Sequence, residues 1–259
     1  GAIFFKVNFV DGLRQGEKIE YYGVFTRKLS LRKLLKRQLL GTSGSGKVKN
    51  KANYVDGKAQ GEAISYYENG AVKSKVNYVD DKLQGESFDY YESGEVKSKS
   101  NYVDGGKQGE EIIYYESGEV KSKSNYVLGQ YKPLLKTLAI GDELNYGKKQ
   151  GEEIWYYKSG VVEQKLNFVD DKIQGELIKY YENGAIFFKV NYVDGKLQGE
   201  GIDYYESGAV KYKYNYVDGL QQGEEILYYE NGVVKQKLNF VDDKRQGELI
   251  KYYENGAIF

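Results

Sequence analysis

A single pattern of 24 residues recurs along almost the whole chain. The copy that begins at Gly61 reads GEAISYYENGAVKSKVNYVDD. The same Gly-Glu start occurs at Gly16, Gly85, Gly109, Gly151, Gly175, Gly199, Gly223 and Gly247. Self-similarity at a fixed period is typical of repeat architectures, in which each unit buries its apolar surface only against its neighbours. The period therefore predicts one continuous array over residues 1–259.

Each copy is predicted to form a β-hairpin. Asn69 and Gly70 lie between two runs rich in Tyr, Ile and Val, and Asn-Gly is the strongest short signal for a two-residue hairpin turn. With these two residues as the loop, Tyr67 should face Val72. Because a single hairpin is not stable in water, the copies must stack edge to edge. We expect an all-β, elongated and twisted solenoid of stacked antiparallel hairpins.

Several positions do not change between copies. Gly61 and its equivalents should lie across from Tyr78 or its counterparts, and we interpret the missing side chain as space for the ring. Glu62 and Lys75 recur together, close enough on one face for an ion pair. Asp-Gly or Asp-Asp closes the copies from Asp56 to Asp242, except the copy that is interrupted after Val127, and both residue types tolerate the positive φ of a turn.

The first copy is interrupted by an insertion over residues 23–47. Its leucines recur at helical spacing among basic side chains, and Gly41 stands where a helix would end. This pattern predicts a short basic amphipathic helix followed by a Gly/Ser linker. The helix could dock to an acidic partner or an anionic membrane surface; alternatively, its leucines pack on the sheet and its cations are solvated. The candidate partner-binding residues are Arg27, Lys28, Arg32, Lys33, Lys36 and Arg37.

A second insertion occupies residues 128–146. Pro133 and Gly141 stand at the positions of a first helical turn and of a helix end. A short helical loop is therefore predicted here, which either caps a bend in the array or forms a contact site.

From Gly151 onward, several variable positions carry larger apolar side chains. The order of the copies also repeats after 72 residues, since DDKIQGELIKYYENGAIF at Asp170 returns almost unchanged at Asp242. Exposed rings at these positions could anchor a protein or stack on sugars. The alternative is that they fill one face of a curled sheet. The candidate partner-binding residues in this part are Trp155, Phe187, Phe188 and Tyr212.

Both ends of the chain are unfinished hairpins. Residues 1–12 match a second strand without its first, and residues 256–259 begin the same strand again. The chain also lacks Met, so we expect a processed product or a fragment of a longer array. Open strand edges are templates for pairing, which predicts that separate molecules associate head to tail, unless a longer array is simply cut at these points. The candidate edge residues are Ile3, Phe5, Val7, Phe9, Ile250 and Tyr252.

The composition excludes several kinds of chemistry. The chain has no Cys and no His, which removes disulfides, thiol and imidazole catalysis and the usual zinc sites. The 38 basic and 38 acidic residues balance, so the net charge gives no reason to expect nucleic acid binding. Most carboxylates recur in every copy, whereas a catalytic pair should be singular and lie in a pocket. We therefore expect no enzymatic activity, no cofactor and no metal site.

The recurring YYENGxVKxKxNYVDGKxQGE resembles the MORN repeat, in particular the bacterial variant with a Tyr-Tyr-Glu-Asn-Gly turn. The resemblance covers almost the whole chain apart from the two insertions. It implies a hairpin array that acts as a non-catalytic scaffold for another macromolecule. A protein partner or self-association is accordingly expected, with binding to a glycan or a membrane surface as the alternative. A bacterial cell surface or secretion is favoured over the cytoplasm.

Overall fold

The computed structural model describes residues 5–23, 44–128 and 147–259, and every regular element in them is a β-strand. These residues divide into two compact units. The first unit comprises residues 5–23, 44–108 and 116–118, and the second comprises residues 109–115, 119–128 and 147–259. The all-β class and the stacking of antiparallel hairpins are confirmed. The elongated, twisted outline and the single array stay predictions.

The strands are short because each copy contains two turns and a bulge. The strands of the first unit are β1 (Phe5–Lys6), β2 (Phe9–Val10), β3 (Leu13–Arg14), β4 (Gly16–Gly23), β5 (Gly44–Val55), β6 (Lys58–Tyr66), β7 (Val72–Val79), β8 (Lys82–Leu83), β9 (Gly85–Tyr90), β10 (Val96–Val103) and β11 (Gly106–Lys107). The strands of the second unit are β12 (Gly109–Tyr114), β13 (Val120–Leu128), β14 (Gly147–Lys149), β15 (Gly151–Tyr156), β16 (Val162–Val169), β17 (Lys172–Ile173), β18 (Gly175–Tyr180), β19 (Ile186–Val193), β20 (Lys196–Leu197), β21 (Gly199–Tyr204), β22 (Val210–Val217), β23 (Leu220–Gln221), β24 (Gly223–Tyr228), β25 (Val234–Val241) and β26 (Lys244–Lys251).

Most of the two insertions lies outside the described residues, and so do the helices predicted for them. Their described margins are strand. Gly23 and Leu128 end β4 and β13, and Gly44–Lys47 begins β5, with Gly23 opposite Gly44. The prediction of a linker is therefore wrong for Gly44–Lys47, because the hairpin continues to pair beyond the usual turn position.

The hairpin turn contains three loop residues rather than the two that were predicted. The Tyr67 N–H donates to the Ala71 carbonyl at 2.8 Å, and the Gly70 N–H donates to the Tyr67 carbonyl at 3.0 Å. Gly70 has a φ of 96°, and the Asn69 side-chain oxygen accepts from the Ala71 N–H at 2.8 Å. This is a type I turn followed by a left-handed residue. The predicted reversal is confirmed, and its predicted loop length is wrong.

The third loop residue changes the register beside the turn. The pairs formed by Gly61–Ser65 are those predicted from the sequence. Beyond them the register shifts at a β-bulge, so that Tyr66 instead of Tyr67 faces Val72, and Lys73 is the extra residue. The same shift occurs beside the turns of the other hairpins.

The return turn between copies has two residues with positive φ, as predicted. Asp80 and Asp81 have φ values of 49° and 69°, and the Asp-Gly version at Asp56 and Gly57 has values of 49° and 84°. Positive φ at both positions is typical of a type I′ turn. Where Asp replaces Gly, its carboxylate adds a bond: Asp81 Oδ1 accepts from the Ala59 N–H of the preceding copy at 2.6 Å. Equivalent bonds offset the strain at Asp171 and Asp243.

The glycine that starts each copy is required by the backbone and not by an aromatic ring. At Gly61 and its equivalents φ lies between 78° and 85°, a region that favours glycine. A Cβ built there would meet no atom within 4 Å, so the interpretation that the glycine makes room for a ring is wrong. At Gly85 the positive φ accompanies a register change, since β7 pairs in one register with β8 and in another with β9.

Neighbouring hairpins are joined through the second tyrosine of each Tyr-Tyr pair. The Tyr67 hydroxyl donates to the backbone carbonyl of Tyr90 in the next copy at 2.7 Å. Desolvation raises the pKa of Tyr67, which keeps the hydroxyl protonated as a donor. The same bond occurs in the first unit at Tyr22 and in the second at Tyr115, Tyr157, Tyr181, Tyr205 and Tyr229.

A glutamine joins the copies at the opposite end of the hairpins. Gln60 Oε1 accepts from the Asp80 N–H in the next return turn at 3.1 Å. The equivalent acceptors are Gln15, Gln84, Gln150, Gln174, Gln198 and Gln222. Within each unit, these bonds hold neighbouring hairpins together at both ends as well as along their strands.

The predicted ion pair forms between these two ends in some of the described copies, whereas it does not form between Glu62 and Lys75 or between Glu176 and Lys189. The Glu86–Lys99 and Glu200–Lys213 pairs have N–O distances of 2.6 Å and 3.8 Å. The equivalent pairs at Lys123 and Lys237 span 3.9 Å and 3.2 Å. Because these side chains are well exposed, each pair contributes at most about 1 kcal/mol.

Replacing Gly175 by Ala should destabilise the protein by roughly 1 to 2 kcal/mol, because an L side chain is strained at its φ of 84°. Asn tolerates positive φ better than Ala, so Gly175→Asn should cost less although Asn is larger. Urea unfolding of both variants measures the two costs. A greater loss for Asn than for Ala would restore the idea that space is what the glycine provides.

Replacing Tyr181 by Phe should lower the free energy of unfolding by about 1 kcal/mol, because the variant loses one hydrogen bond to the Tyr204 carbonyl. Tyr180→Phe is the matched control, since Tyr180 contributes its backbone carbonyl to the same series of bonds. Thermal unfolding compares the two. Equal losses for both variants would show that the hydroxyl bond does not hold the copies together.

Candidate binding face

One side of every hairpin carries nearly the same residues in each copy. Side chains alternate between the two sides of a strand, and the observed register places those of paired residues on the same side. This side, called the constant face, carries Glu62, Ile64, Tyr66, Lys75, Asn77 and Val79 and their equivalents. Glu, Tyr, Lys, Asn and Val recur here in each copy from Gly61 to Val241, and Ile64 is replaced only by Phe88.

The opposite side, called the variable face, changes strongly from copy to copy. It carries Gly61, Ala63, Ser65, Ser74, Val76 and Tyr78 and their equivalents, of which only Gly61 and Tyr78 keep their character. The position of Ala63 is taken in later copies by Ser87, Glu111, Glu153, Leu177, Gly201 and Glu225. The position of Val76 is taken by Ser100, Ser124, Leu166, Val190, Tyr214 and Leu238. Variation between copies is thus concentrated on one side of the hairpins.

In the first unit the variable face is lined by small side chains. The hydroxyls of Ser65 and Ser74 are hydrogen-bonded across the hairpin at 2.6 Å. Together with Ala52, Ala63 and Val76 they line an open depression of about 380 Å³. The small side chains therefore leave this part of the face hollow.

In the second unit the same positions form an apolar cluster. Leu166, Leu177 and Val190 are buried at its centre. Two of the predicted partner-binding residues, Trp155 and Phe188, are half-buried and pack against this cluster. Each therefore contributes to packing and also keeps part of its ring accessible.

The other two predicted aromatic residues lie in different surroundings. Phe187 takes the bulge position of Lys73 and contacts Tyr181, with ring centroids 4.9 Å apart. In five other copies this position holds a lysine over the ring, as at Lys73, whose Nζ is 5.9 Å from the centroid of Tyr67, and in the copy that begins at Gly151 it holds Glu163. Tyr212 lies on the variable face opposite Asp203. Their roles in binding stay predictions.

The structure also reveals carboxylates on the variable face that sequence reasoning did not single out. Glu153 is only 4% exposed and accepts from Ser124 Oγ at 2.9 Å, from Trp155 Nε1 at 2.6 Å and from Lys149. Glu225 is 8% exposed and accepts from Gln221 Nε2 at 2.6 Å. The sequence could have indicated these two carboxylates, because each Glu stands at a position that Ala63 occupies in an earlier copy. Buried carboxylates need such donors.

Asp203 belongs to the same face and is held by a tyrosine. The Tyr214 hydroxyl donates to Asp203 Oδ1 at 2.9 Å. Burial raises the pKa of Asp203, and the bond from Tyr214 and the charge of Lys211 offset part of this rise. Burial is also the main cause that raises the pKa of Tyr212, and its hydrogen bond to Glu225 raises this pKa further.

The half-buried rings and the half-buried carboxylate of Asp203 offer apolar surface and a hydrogen-bond acceptor to a ligand. In the described ranges, no group of three or more acidic side chains is placed to hold a metal ion. Within the same ranges, no helix has the length and apolar character needed to cross a bilayer.

The remaining predicted residues are only partly described. The six basic residues of the first insertion and Ile3 lie outside the described residues. Phe5 and Phe9 are 56% and 60% exposed, whereas Val7, Ile250 and Tyr252 are half-buried. Pairing of these edges with another molecule of the protein stays a prediction.

A protein-family model described as the MORN repeat variant matches seven segments of the chain. The matched segments are residues 59–80, 83–104, 107–127, 149–170, 173–194, 197–218 and 221–242. They lie in both units and leave out both insertions. No curated protein matches the chain.

Among solved structures, the chain is similar to TcdB2-TccC3, at 11% identity and a TM-score of 0.19, over 97% of this chain and 16% of that chain. A Tc holotoxin pore of Photorhabdus luminescens matches at 13% identity and a TM-score of 0.17, over 99% and 16% of the two chains. The chain thus spans about a sixth of these proteins. TM-scores this low do not indicate a shared fold.

Asp203 should make the stability of the second unit depend on pH. Because its pKa is raised in the folded protein, the folded state retains the proton more readily than the unfolded chain. The resulting stabilisation is fully present below the ordinary pKa of 3.8 and is lost as the pH rises through the raised pKa. Urea unfolding at several pH values should show that the advantage of wild type over Asp203→Asn falls across this window.

The Tyr214→Phe variant tests the cause of this dependence. It removes the hydrogen bond that lowers the pKa of Asp203, so the pH window should extend to higher values. A difference between wild type and Asp203→Asn that does not vary with pH would contradict the burial of this carboxylate.

Proposed function

The chain belongs to the MORN repeat family, and on this basis we propose that it is a non-catalytic scaffold whose variable face in the second unit binds another protein. Members of repeat families commonly use one extended surface for recognition while the rest of each repeat maintains the stack. Here the variable face would bind the partner, and the constant face would maintain the stack.

The observation that carries this proposal is the separation of constant and variable positions between the faces. On the constant face, residues such as Asn77 and Val79 recur in every copy from Gly61 to Val241. The turn glycines, the Tyr-Tyr pair and the glutamine are also constant, and they make the bonds between copies. The positions that vary contribute less to these bonds, so their side chains are available for recognition.

A protein partner suits the chemistry of this face in the second unit. Trp155, Phe188 and Tyr212 are half-buried, so their rings are held in place yet remain accessible. Rigid aromatic side chains are the commonest anchors of protein interfaces. Glu153 accepts from Trp155 Nε1 and Glu225 is hydrogen-bonded to the Tyr212 hydroxyl, so these two buried carboxylates help to hold the rings in place.

A photo-reactive aromatic amino acid at Leu227, on the variable face, should crosslink to a partner protein in extracts of the source cells. Ile226 is the matched control, because it is the adjacent residue and lies on the constant face. Mass spectrometry identifies the crosslinked proteins. Equal crosslinking from both positions would contradict a partner that recognises the variable face.

Trp155→Ser and Phe188→Ser should weaken binding of the partner found in this way by at least about tenfold, because anchors of this type dominate interface energetics. Both variants copy the first unit, where Ser65 and Ser74 occupy the same positions. Lys189→Ser, next to Phe188 but on the constant face, should leave binding unchanged. Loss of retention on a carbohydrate column in the two serine variants, without a protein partner, would favour a glycan-binding module instead.

A further inference from the structure

The copy that begins at Gly199 departs from every other copy at three positions of the variable face. Gly201 stands where the other copies carry Lys, Ala, Ser, Glu or Leu. Tyr212 stands where the other copies carry Asn, Ser, Gln or Phe, and Tyr214 stands where they carry Ala, Val, Ser or Leu. A feature needed by the repeat would recur, so these three departures indicate a local purpose.

The three departures are one structural feature. Gly201 pairs directly with Tyr214 across the hairpin. A Cβ built on Gly201 would lie 2.0 Å from Cε2 of the Tyr214 ring and 2.6 Å from its Cζ. The ring therefore lies on the bare backbone of Gly201, which is buried beneath it. Tyr214 also packs against the apolar cluster around Val190, yet it is only half-buried, so part of its side chain stays accessible.

Neighbouring tyrosines hold this ring in place. The centroid of Tyr212 lies 5.1 Å from that of Tyr214 in a tilted arrangement, and the centroid of Tyr216 lies 5.7 Å away with its ring nearly perpendicular. The Tyr214 hydroxyl is fixed at 2.9 Å from Asp203 Oδ1. We call Tyr212, Tyr214, Tyr216, Asp203 and Glu225 the tyrosine platform.

The charge around the tyrosine platform is negative. The negative charges of Asp203 and Glu225 interact with Tyr212, and those of Asp203, Glu225 and Asp243 interact with Tyr216. Each of these carboxylates raises the pKa of a tyrosine, after burial as the first cause. Lys211 offsets part of this charge at Asp203, and its Nζ is engaged 5.5 Å from the ring centroid of Tyr205.

We propose that the tyrosine platform binds an arginine side chain of the protein partner. This inference rests on the proposed function and names the chemistry of one contact. A planar guanidinium can stack on the accessible part of the Tyr214 ring and donate hydrogen bonds to the half-buried carboxylate of Asp203. It is also more weakly hydrated than the ammonium of lysine, so it loses less on leaving water. A neutral sugar could stack on the ring but would gain little from the negative charge.

The probe is an acetylated and amidated Gly-Arg-Gly peptide, titrated into the full chain and followed by NMR or calorimetry. Saturable binding with a dissociation constant on the order of millimolar is expected for one stacked and charge-paired side chain. The same peptide with citrulline has nearly the same shape without the charge and should bind about tenfold more weakly.

Two variants locate the site. Asp203→Asn should weaken binding of the arginine peptide about tenfold, whereas Asp89→Asn is the matched control at the same position of a hairpin in the first unit and should not change it. The double variant Gly201→Leu with Tyr214→Val should abolish binding. It copies the Leu177–Val190 pair of the preceding copy, so the hairpin keeps a pair that already exists in this fold.

Three results would overturn the arginine site: equal affinity for the citrulline peptide, unchanged binding by the double variant, or binding of a neutral oligosaccharide in place of the peptide. Failure of the proposed function has a different signature. If the arginine peptide does not bind while Trp155→Ser and Phe188→Ser still lose the partner, the arginine site is rejected and the binding face stands. If the peptide binds but neither serine variant affects any partner, the arginine site stands and the wider face is rejected.

Discussion

The structure depends on hydrogen bonds between one hairpin and the next. A lone hairpin buries too little apolar surface to be stable, so each copy needs its neighbours. The Tyr67 hydroxyl holds the next copy at the turn end, and Gln60 holds the next return turn at the other end. Each bond contributes only about 1 kcal/mol, but its recurrence fixes the same offset between successive copies. The residues that make these bonds therefore cannot vary.

This constraint explains why variation is confined to one side. The constant face repeats the same Glu, Tyr, Lys, Asn and Val in successive copies, while the variable face ranges from the hollow around Ser65 and Ser74 to the cluster around Leu177. At one pair of positions on the variable face, a missing side chain on the first strand accompanies a large ring on the second, as in Gly201 and Tyr214. The pairs Leu177–Val190 and Gly201–Tyr214 occupy the same two positions of their hairpins. In the first pair the larger side chain is on the first strand, and in the second pair it is on the second strand. Recognition chemistry can thus change in one copy without disturbing the stack.

The two interpretations of glycine show how far sequence reasoning reached. At Gly61 the sequence indicated that a ring covers bare backbone, but the actual requirement is a φ of 81°. At Gly201 a ring does cover bare backbone, at a position where every other copy carries a side chain. A glycine in a sequence does not reveal whether its freedom is used for torsion or for space. That depends on which side chain lies across from it, which follows from the register and the ring rotamer.

The sequence by itself determined the 24-residue unit, the reversal at Asn69–Gly70, the positive φ of the Asp-Gly turns and the pairing of Gly61–Ser65. These features follow from local chemistry, since turn residues and alternation act over a few positions. Only the tertiary structure decided the bulge at Lys73, the burial of Glu153 and Glu225, and the ring of Tyr214 on Gly201. These depend on contacts across a hairpin or between copies, where distant side chains compete for the same space and the same hydrogen bonds.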